Sequence, residues 1–203
     1  MIFSYNKEHV GDTLMVVVAD DQGKENQVTR VGNVARVQTI DDVTVAWNFF
    51  HISDHLSLEG NGQVTLTSEQ IQTLNTLIKE AGFTEQFPLE TQPKIVVGYV
   101  KTCVPHPDSD HLSITETEIG NGEVLQIVCG ASNVKAEMKV VVATPGAMMP
   151  DGLMIWPGSL RGVESFGMLC SAKELHLPDA PEKKGILELP ADAVVGEAFP
   201  VGK

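Results

Sequence analysis

Residues 94–134 read KIVVGYVKTCVPHPDSDHLSITETEIGNGEVLQIVCGASNV, and the fold of the carboxy-terminal half is decided by how this stretch alternates. Runs rich in β-branched residues, Ile95–Cys103, Leu112–Ile119 and Val124–Cys129, are separated by the turn clusters HPDSD and GNG. Beyond GASN the same rhythm continues with Val140–Ala143, then PGAMMPDG, then Ser165–Cys170. Five short strands, with a partly helical break expected at Val134–Met138 before the fourth, predict a five-stranded Greek-key barrel of the OB type. After the last strand, SAKEL offers Ser171 as a helix cap and Glu174 as its reciprocal partner, which predicts a short closing helix.

Working upstream, FTEQFPLETQPK (residues 83–94) has two prolines and no period, so a boundary is expected near Pro88–Pro93. Before it lies the strongest helix signal of the chain, TSEQIQTLNTLIKEAG. Thr67 and Gln70 form a capping box, Ile71, Leu74, Leu77, Ile78 and Ala81 share one face, and Gly82 supplies the stop. Leu14–Ala19 and Val43–Phe50 read as strands, with turns at Asp20–Asp21, Gly23, Gly32 and Asp41–Asp42. The predicted organisation is a mixed α+β domain over 1–90, of unassigned role, followed over 91–203 by an all-β OB barrel with a short carboxy-terminal helix.

Composition limits the function. The formal charge of -13 excludes a protein that coats nucleic acid by bulk attraction, because phosphate affinity rests on Lys and Arg displacing counterions. The acidity is uneven: residues 1–90 hold 5 Lys and Arg against 13 Asp and Glu, and residues 91–203 hold 9 against 14. No run approaches the ~18 apolar residues of a membrane span, and the start, MIFSYNKEHVGD, does not read as a leader. Three widely spaced cysteines, Cys103, Cys129 and Cys170, suit reduced thiols. A cytoplasmic protein without membrane contact is expected.

Catalytic and metal motifs are thin. In CVPHPDSDH, the side chains of Cys103, His106, Asp108, Asp110 and His111 suggest a metal site, but a structural zinc normally takes four ligands and no second Cys/His pair is near; a rigid loop is the simpler reading. His51 and His55 have helical zinc spacing without the glutamate of H-E-x-x-H, and on a strand-like run. The chain has no G-x-S-x-G, Walker loop or dinucleotide fingerprint, and Ser171 and Lys173 are spaced S-x-K, not S-x-x-K. Cys129 and Cys170 end predicted strands, where core filling is the default. No cofactor is implied, and a non-enzyme is expected.

Taken in order, KIVVGYV, HPDSDHL, LQIVCGASNV, KVVVATPGAMMPDGLMI and LRGVESFGMLCSAKEL resemble the tRNA-binding domain of several proteins. That domain occurs near the amino terminus of the bacterial phenylalanyl-tRNA synthetase β chain, and in relatives appended to methionyl-tRNA synthetases and to endothelial monocyte-activating polypeptide. With an amino-terminal domain attached, the whole chain resembles the stand-alone YtpR-like proteins of Gram-positive bacteria.

The resemblance implies an OB barrel that contacts folded tRNA by shape and backbone with little base specificity, acting in trans. The implied contacts are Lys94, Asn133, Arg161, Ser165, Met168 and Ser171, with Lys101, Lys139 and Lys173 as electrostatic support. Arg161 would grip phosphate, Asn133, Ser165 and Ser171 would donate to phosphate or ribose, and Met168 would pack on a sugar or base. Tyr99, Trp156 and Phe166 are the only aromatics of residues 94–173, too few for a stacking platform. His111 stands where the family commonly has lysine, so one phosphate contact is missing. The amino-terminal domain is expected to supply dimerisation or a protein partner. The alternative is a protein–protein interaction module that has lost RNA binding.

Overall fold

The structure is a computed structural model that describes residues 1–89, 92–181 and 185–202; Glu90 and Thr91, inside the expected boundary Pro88–Pro93, lie outside the described residues. It is mostly β, with one α-helix among the described residues, and the chain divides into two compact units, Met1–Gln92 and Pro93–Lys203.

The first unit contains β1 (Ile2–Tyr5), β2 (Thr13–Val17), β3 (Asn26–Val31), β4 (Val34–Thr39), β5 (Thr44–Phe50), β6 (Gly62–Val64) and α1 (Ser68–Glu80). The strands form one antiparallel sheet in the order β3-β4-β5-β2-β1-β6. Alternation along β2 and β5 turns Leu14, Val16, Trp47 and Phe49 inward, where they share a core with Ile71, Leu74 and Ile78 of α1. The helix begins with the expected capping box, Thr67 Oγ1 accepting from Gln70 N–H and Gln70 Oε1 accepting from Thr67 N–H. It stops at Gly82, whose φ is +86°, with Phe83 N–H donating to Ile78 O.

A short network pins the chain where β1, β2 and the turn after β5 meet. Asp12 accepts from the Tyr5 hydroxyl at 2.9 Å and from the Ser53 hydroxyl at 2.7 Å and N–H at 3.2 Å. Partial burial pushes the Asp12 carboxyl up, but the hydrogen bonds from Ser53 and Tyr5 and the charge of Lys7 outweigh it and hold the group below its usual range. With the folded pKa depressed, the stabilisation is present above the unfolded carboxylate pKa of ~3.9 and is lost as pH falls through the folded value. Thermal melts over a pH series should therefore show stability falling on acidification below about pH 4, and Asp12→Asn should show a shallower fall. An identical slope in the variant would remove Asp12 from the account.

The second unit contains β7 (Ile95–Pro105), β8 (Ser113–Glu118), β9 (Val124–Cys129), β10 (Lys139–Ala143), β11 (Gly158–Leu160), β12 (Val163–Ser165), β13 (Met168–Leu169) and β14 (Glu188–Leu189). Its main sheet runs β13-β10-β7-β8-β9, with β14 also on β10. The sheet curls toward closure: Phe166 N–H donates to Gln126 O at 2.8 Å, and Val128 N–H donates to Ser165 Oγ at 3.1 Å, joining the two ends across a seam. After Lys139, β10 is apolar to its end because both faces are covered. Val140 and Val142 point into a core with Val96, Val100, Ile127 and Leu169, while Val141 and Ala143 meet Ala147, Met149, Ile155 and Leu175 outside it.

β7 is shared lengthwise. Tyr99 to Pro105 pair with β8, whereas on the same edge Ile95 and Val97 pair with the end of the chain: Val97 N–H donates to Glu197 O, Gly196 N–H to Val97 O and Phe199 N–H to Ile95 O.

Three sequence expectations are corrected. SAKEL forms its cap, with Ser171 and Glu174 bonded reciprocally, but only a turn follows. His176 takes φ +49° and Leu177 precedes a proline, so no second turn can propagate. The expected break at Val134–Met138 is non-helical because its backbone pairs with β7, Glu137 N–H donating to Val100 O and Val100 N–H to Met138 O. The expected strand Ser165–Cys170 is interrupted at Gly167, φ +136°, where a Cβ would lie 2.8 Å from Ala143 O.

Candidate nucleic-acid interface

One end of the barrel carries the β7–β8 loop and the hairpin that bears Arg161. The β7–β8 loop is a rigid turn in which His106, 3% exposed, is fixed at both ring nitrogens: Nδ1 accepts from Asp108 N–H at 3.0 Å and Nε2 faces Leu160 O at 3.1 Å. Leu160 belongs to the β11–β12 hairpin, whose two-residue tip, Arg161–Gly162, has φ +46° and +80°. Two positive φ values give the primed turn that matches strand twist, and glycine supplies the second cheaply. Arg161 occupies the first, where a side chain is strained, and its Nη1 donates back to Asp108 O at 3.1 Å. The loop also reaches the other way, since a Cβ on Gly130 would sit 3.4 Å from Leu112 Cδ2.

Beyond Gly130 a groove of about 720 Å³ runs between the end of β9 and β13. Four expected contacts line it: Asn133, Met168, Ser171 and Lys173. Its walls otherwise come from residues such as Cys129, Ala131, Ile186 and Leu187, with Glu174 and Glu188 as carboxylates and no aromatic ring among the described residues. Such a surface can take ribose and phosphate but offers bases nothing to stack on.

The nine residues differ in what they have left to offer. Arg161, Lys101 and Lys173 are exposed, and none has an ion-pair partner among the described residues. Lys94 is half-buried at the start of β7, where its carbonyl accepts from Thr144. Lys139 Nζ is engaged by Ala191 O at 2.5 Å and Ala193 O at 2.6 Å. Asn133 clamps the backbone of Ile186 with both ends of its amide, at 2.9 and 3.0 Å, and Gly185 leaves room for it. The Ser171 hydroxyl donates to Glu174 Oε2 at 2.6 Å. Ser165, expected to donate to phosphate or ribose, is 4% exposed with its oxygen on the barrel seam. A serine one residue before the aromatic of SFG gives no sequence signal that separates seam from surface. His111 bonds to Asp110 Oδ1 at 2.9 Å and is exposed.

Two of the thiols are poor nucleophiles: burial pushes Cys129 up, and Cys170 up to about 12. Among the described residues no three His, Cys, Asp or Glu side chains group to hold a metal ion, and no helix is long and apolar enough to cross a membrane.

Residues 95–198 match a family model described as "Putative tRNA binding domain", and residues 21–90 match one described as "Domain of unknown function (DUF4479)". The "Putative tRNA-binding protein YtpR" of Bacillus subtilis is 44% identical over 196 residues, 96% of this chain and 97% of its own. The phenylalanine–tRNA ligase β subunit of Acinetobacter baylyi is 55% identical over 102 residues, and that of Sulfurimonas denitrificans 47% over 131. These stretches are 50% and 64% of this chain but 13% and 16% of the ligase subunits. Among solved structures, the C-terminal domain of Plasmodium vivax p43 is similar at 28% identity and TM-score 0.38, covering 51% of this chain and 56% of its own. The chain belongs to the tRNA-binding domain family that the first of these models defines, and it matches the Bacillus subtilis protein over nearly its whole length.

Proposed function

We propose that this protein binds folded tRNA in trans, by shape and backbone, with little base specificity. The residues over 91–203 are read as an OB barrel, for which the strand order and the seam at Ser165 give support. One observation carries the reading: Arg161 stands at the tip of a strained hairpin bonded to the β7–β8 loop, at the end of the barrel where an aromatic-free groove opens. Loops of this kind flank the nucleic-acid face of OB barrels, and recognition of structured RNA relies on phosphate and 2′-hydroxyl contacts. Arg161, Lys101 and Lys173 form the contact set best supported by exposure, with Met168 half-buried in the groove wall; Lys94 contributes charge, and Asn133, Lys139, Ser165 and Ser171 shape the surface from behind.

The domain over 1–90 is read as α+β and as a dimerisation or partner module, the arrangement that would offset the shortage of cations by doubling the contacts. The protein is read as a cytoplasmic non-enzyme, in keeping with its three free thiols.

A filter-binding assay of bulk tRNA against unstructured RNA over a salt series tests the proposal. With about three available cations, log K against log salt should fall with a slope near −2 to −3, and Arg161→Ala should weaken binding about tenfold and flatten the slope by about one. No tRNA binding at low salt would overturn the reading in favour of a protein-interaction module.

A further inference from the structure

The geometry points to His106 as the positioning residue that holds Arg161 in place for RNA, an assignment that rests on the tRNA-binding reading. The two partners of the ring dictate its state. A carbonyl oxygen, Leu160 O, can only accept, so Nε2 must carry the proton; an amide, Asp108 N–H, can only donate, so Nδ1 must be bare. The ring is therefore a neutral, single-tautomer strut between a loop and a hairpin. Its own backbone is tied down as well, His106 N–H donating to Leu112 O at 3.0 Å.

The strut ends one residue from Arg161, and Arg161 returns a bond to Asp108 O, the residue whose N–H the ring accepts. Loop and hairpin tip thus form a closed cycle: His106 to Leu160, along the chain to Arg161, across to Asp108 and back to His106. The two cross-links differ in exposure: the His106 bond is part-buried, with its ring 3% exposed, and the Arg161 bond is exposed. Arg161 is exposed, so its bond to Asp108 competes with water and would be given up to a phosphate, whereas the His106 bond is sheltered and persists. Division of labour follows: His106 orients the tip, which leaves the Arg161 fork free to switch from carbonyl to phosphate without the hairpin moving. A residue at positive φ gains most from such support, because its strained backbone would otherwise relax.

Two substitutions separate the bonds of the ring. In His106→Asn the side-chain oxygen can still accept from Asp108 N–H as an Asx turn, but nothing reaches Leu160; in His106→Gln the longer amide can donate to Leu160 O. With full-length protein and bulk tRNA, H106N should weaken binding about tenfold and flatten the salt slope by about one, as R161A does. H106Q should stay within about threefold of wild type. The H106N/R161A double variant should lose no more than either alone, since both remove one contact.

Nitrogen-15 NMR of the wild-type ring should show the Nε2–H tautomer alone, a measurement that needs no variant to fold. Wild-type binding with H106N unchanged, additive losses in the double variant, or a ring exchanging between tautomers would each overturn the assignment. Wild-type protein that fails to bind tRNA at all overturns the functional reading and this assignment with it.

Discussion

Gly120→Val is expected to destabilise the Pro93–Lys203 unit by about 3–5 kcal/mol. Gly120 and Gly196 meet backbone to backbone. A Cβ on Gly120 would lie 2.6 Å from Gly196 Cα, and one on Gly196 would lie 2.9 Å from Gly120 Cα. Neither neighbour is the flexible end of a side chain, so the clash cannot be relieved by a rotamer change. Both residues also have positive φ, +99° and +88°, a region costly for a β-branched side chain. The segment displaced would be the one that completes the edge of β7 through Gly196, Glu197 and Phe199. Urea unfolding would give the loss, and amide exchange at Val97 would show whether that edge opens. An unchanged midpoint with Val97 still protected would show that the close approach carries no energetic weight.

Trp47→Ala should cost about 3–5 kcal/mol in the Met1–Gln92 unit. Trp47 is 1% exposed and lies edge-on to Phe83 at 5.1 Å and Phe87 at 6.3 Å and stacked near Phe49 at 6.5 Å. Its removal deletes a shared partner of three rings, and a rigid sheet on one side limits collapse into the hole. Denaturant unfolding with exchange at β5 amides would read the loss. Trp47→Phe, which keeps a ring at the centre, should lose clearly less. Equal losses from both variants would place the cost in the indole edge instead of the cavity.

How much could be read in advance depended on burial asymmetry. α1 was legible because its apolar residues recur on one face and its cap is written locally in Thr67 and Gln70. β9 was legible to its ends, Val124–Cys129, because turns bracket an uninterrupted run. β3, NQVTRV, was not, since every residue of it is exposed and no alternation of burial marks this edge of the sheet. β1 was missed because IFSY is too short for periodicity to register. The SAKEL helix failed for the converse reason: a cap is a local signal, but propagation depends on His176 and Pro178 downstream. At the candidate interface, Arg161, Lys101 and Lys173 are exposed where contact was expected. Ser165 and Lys139 show what sequence could not supply, because whether a hydroxyl or ammonium group faces solvent or its own backbone is set by partners far along the chain.

The pairing of β7 with the end of the chain has a bearing on biosynthesis. Val97 and Glu197 are about 100 residues apart, so at a ribosomal rate of ~5–20 residues per second β7 is made roughly 5–20 s before the partner that covers its amino-terminal edge. For that interval an apolar strand with open N–H and C=O groups is available to other nascent chains. Once the partner arrives, joining the ends of so long a loop adds only a logarithmic entropy term, so the delay is one of timing, not of equilibrium. Yield of the protein should accordingly depend on translation speed between the codons of Val97 and Glu197 more than on the stability of the finished barrel.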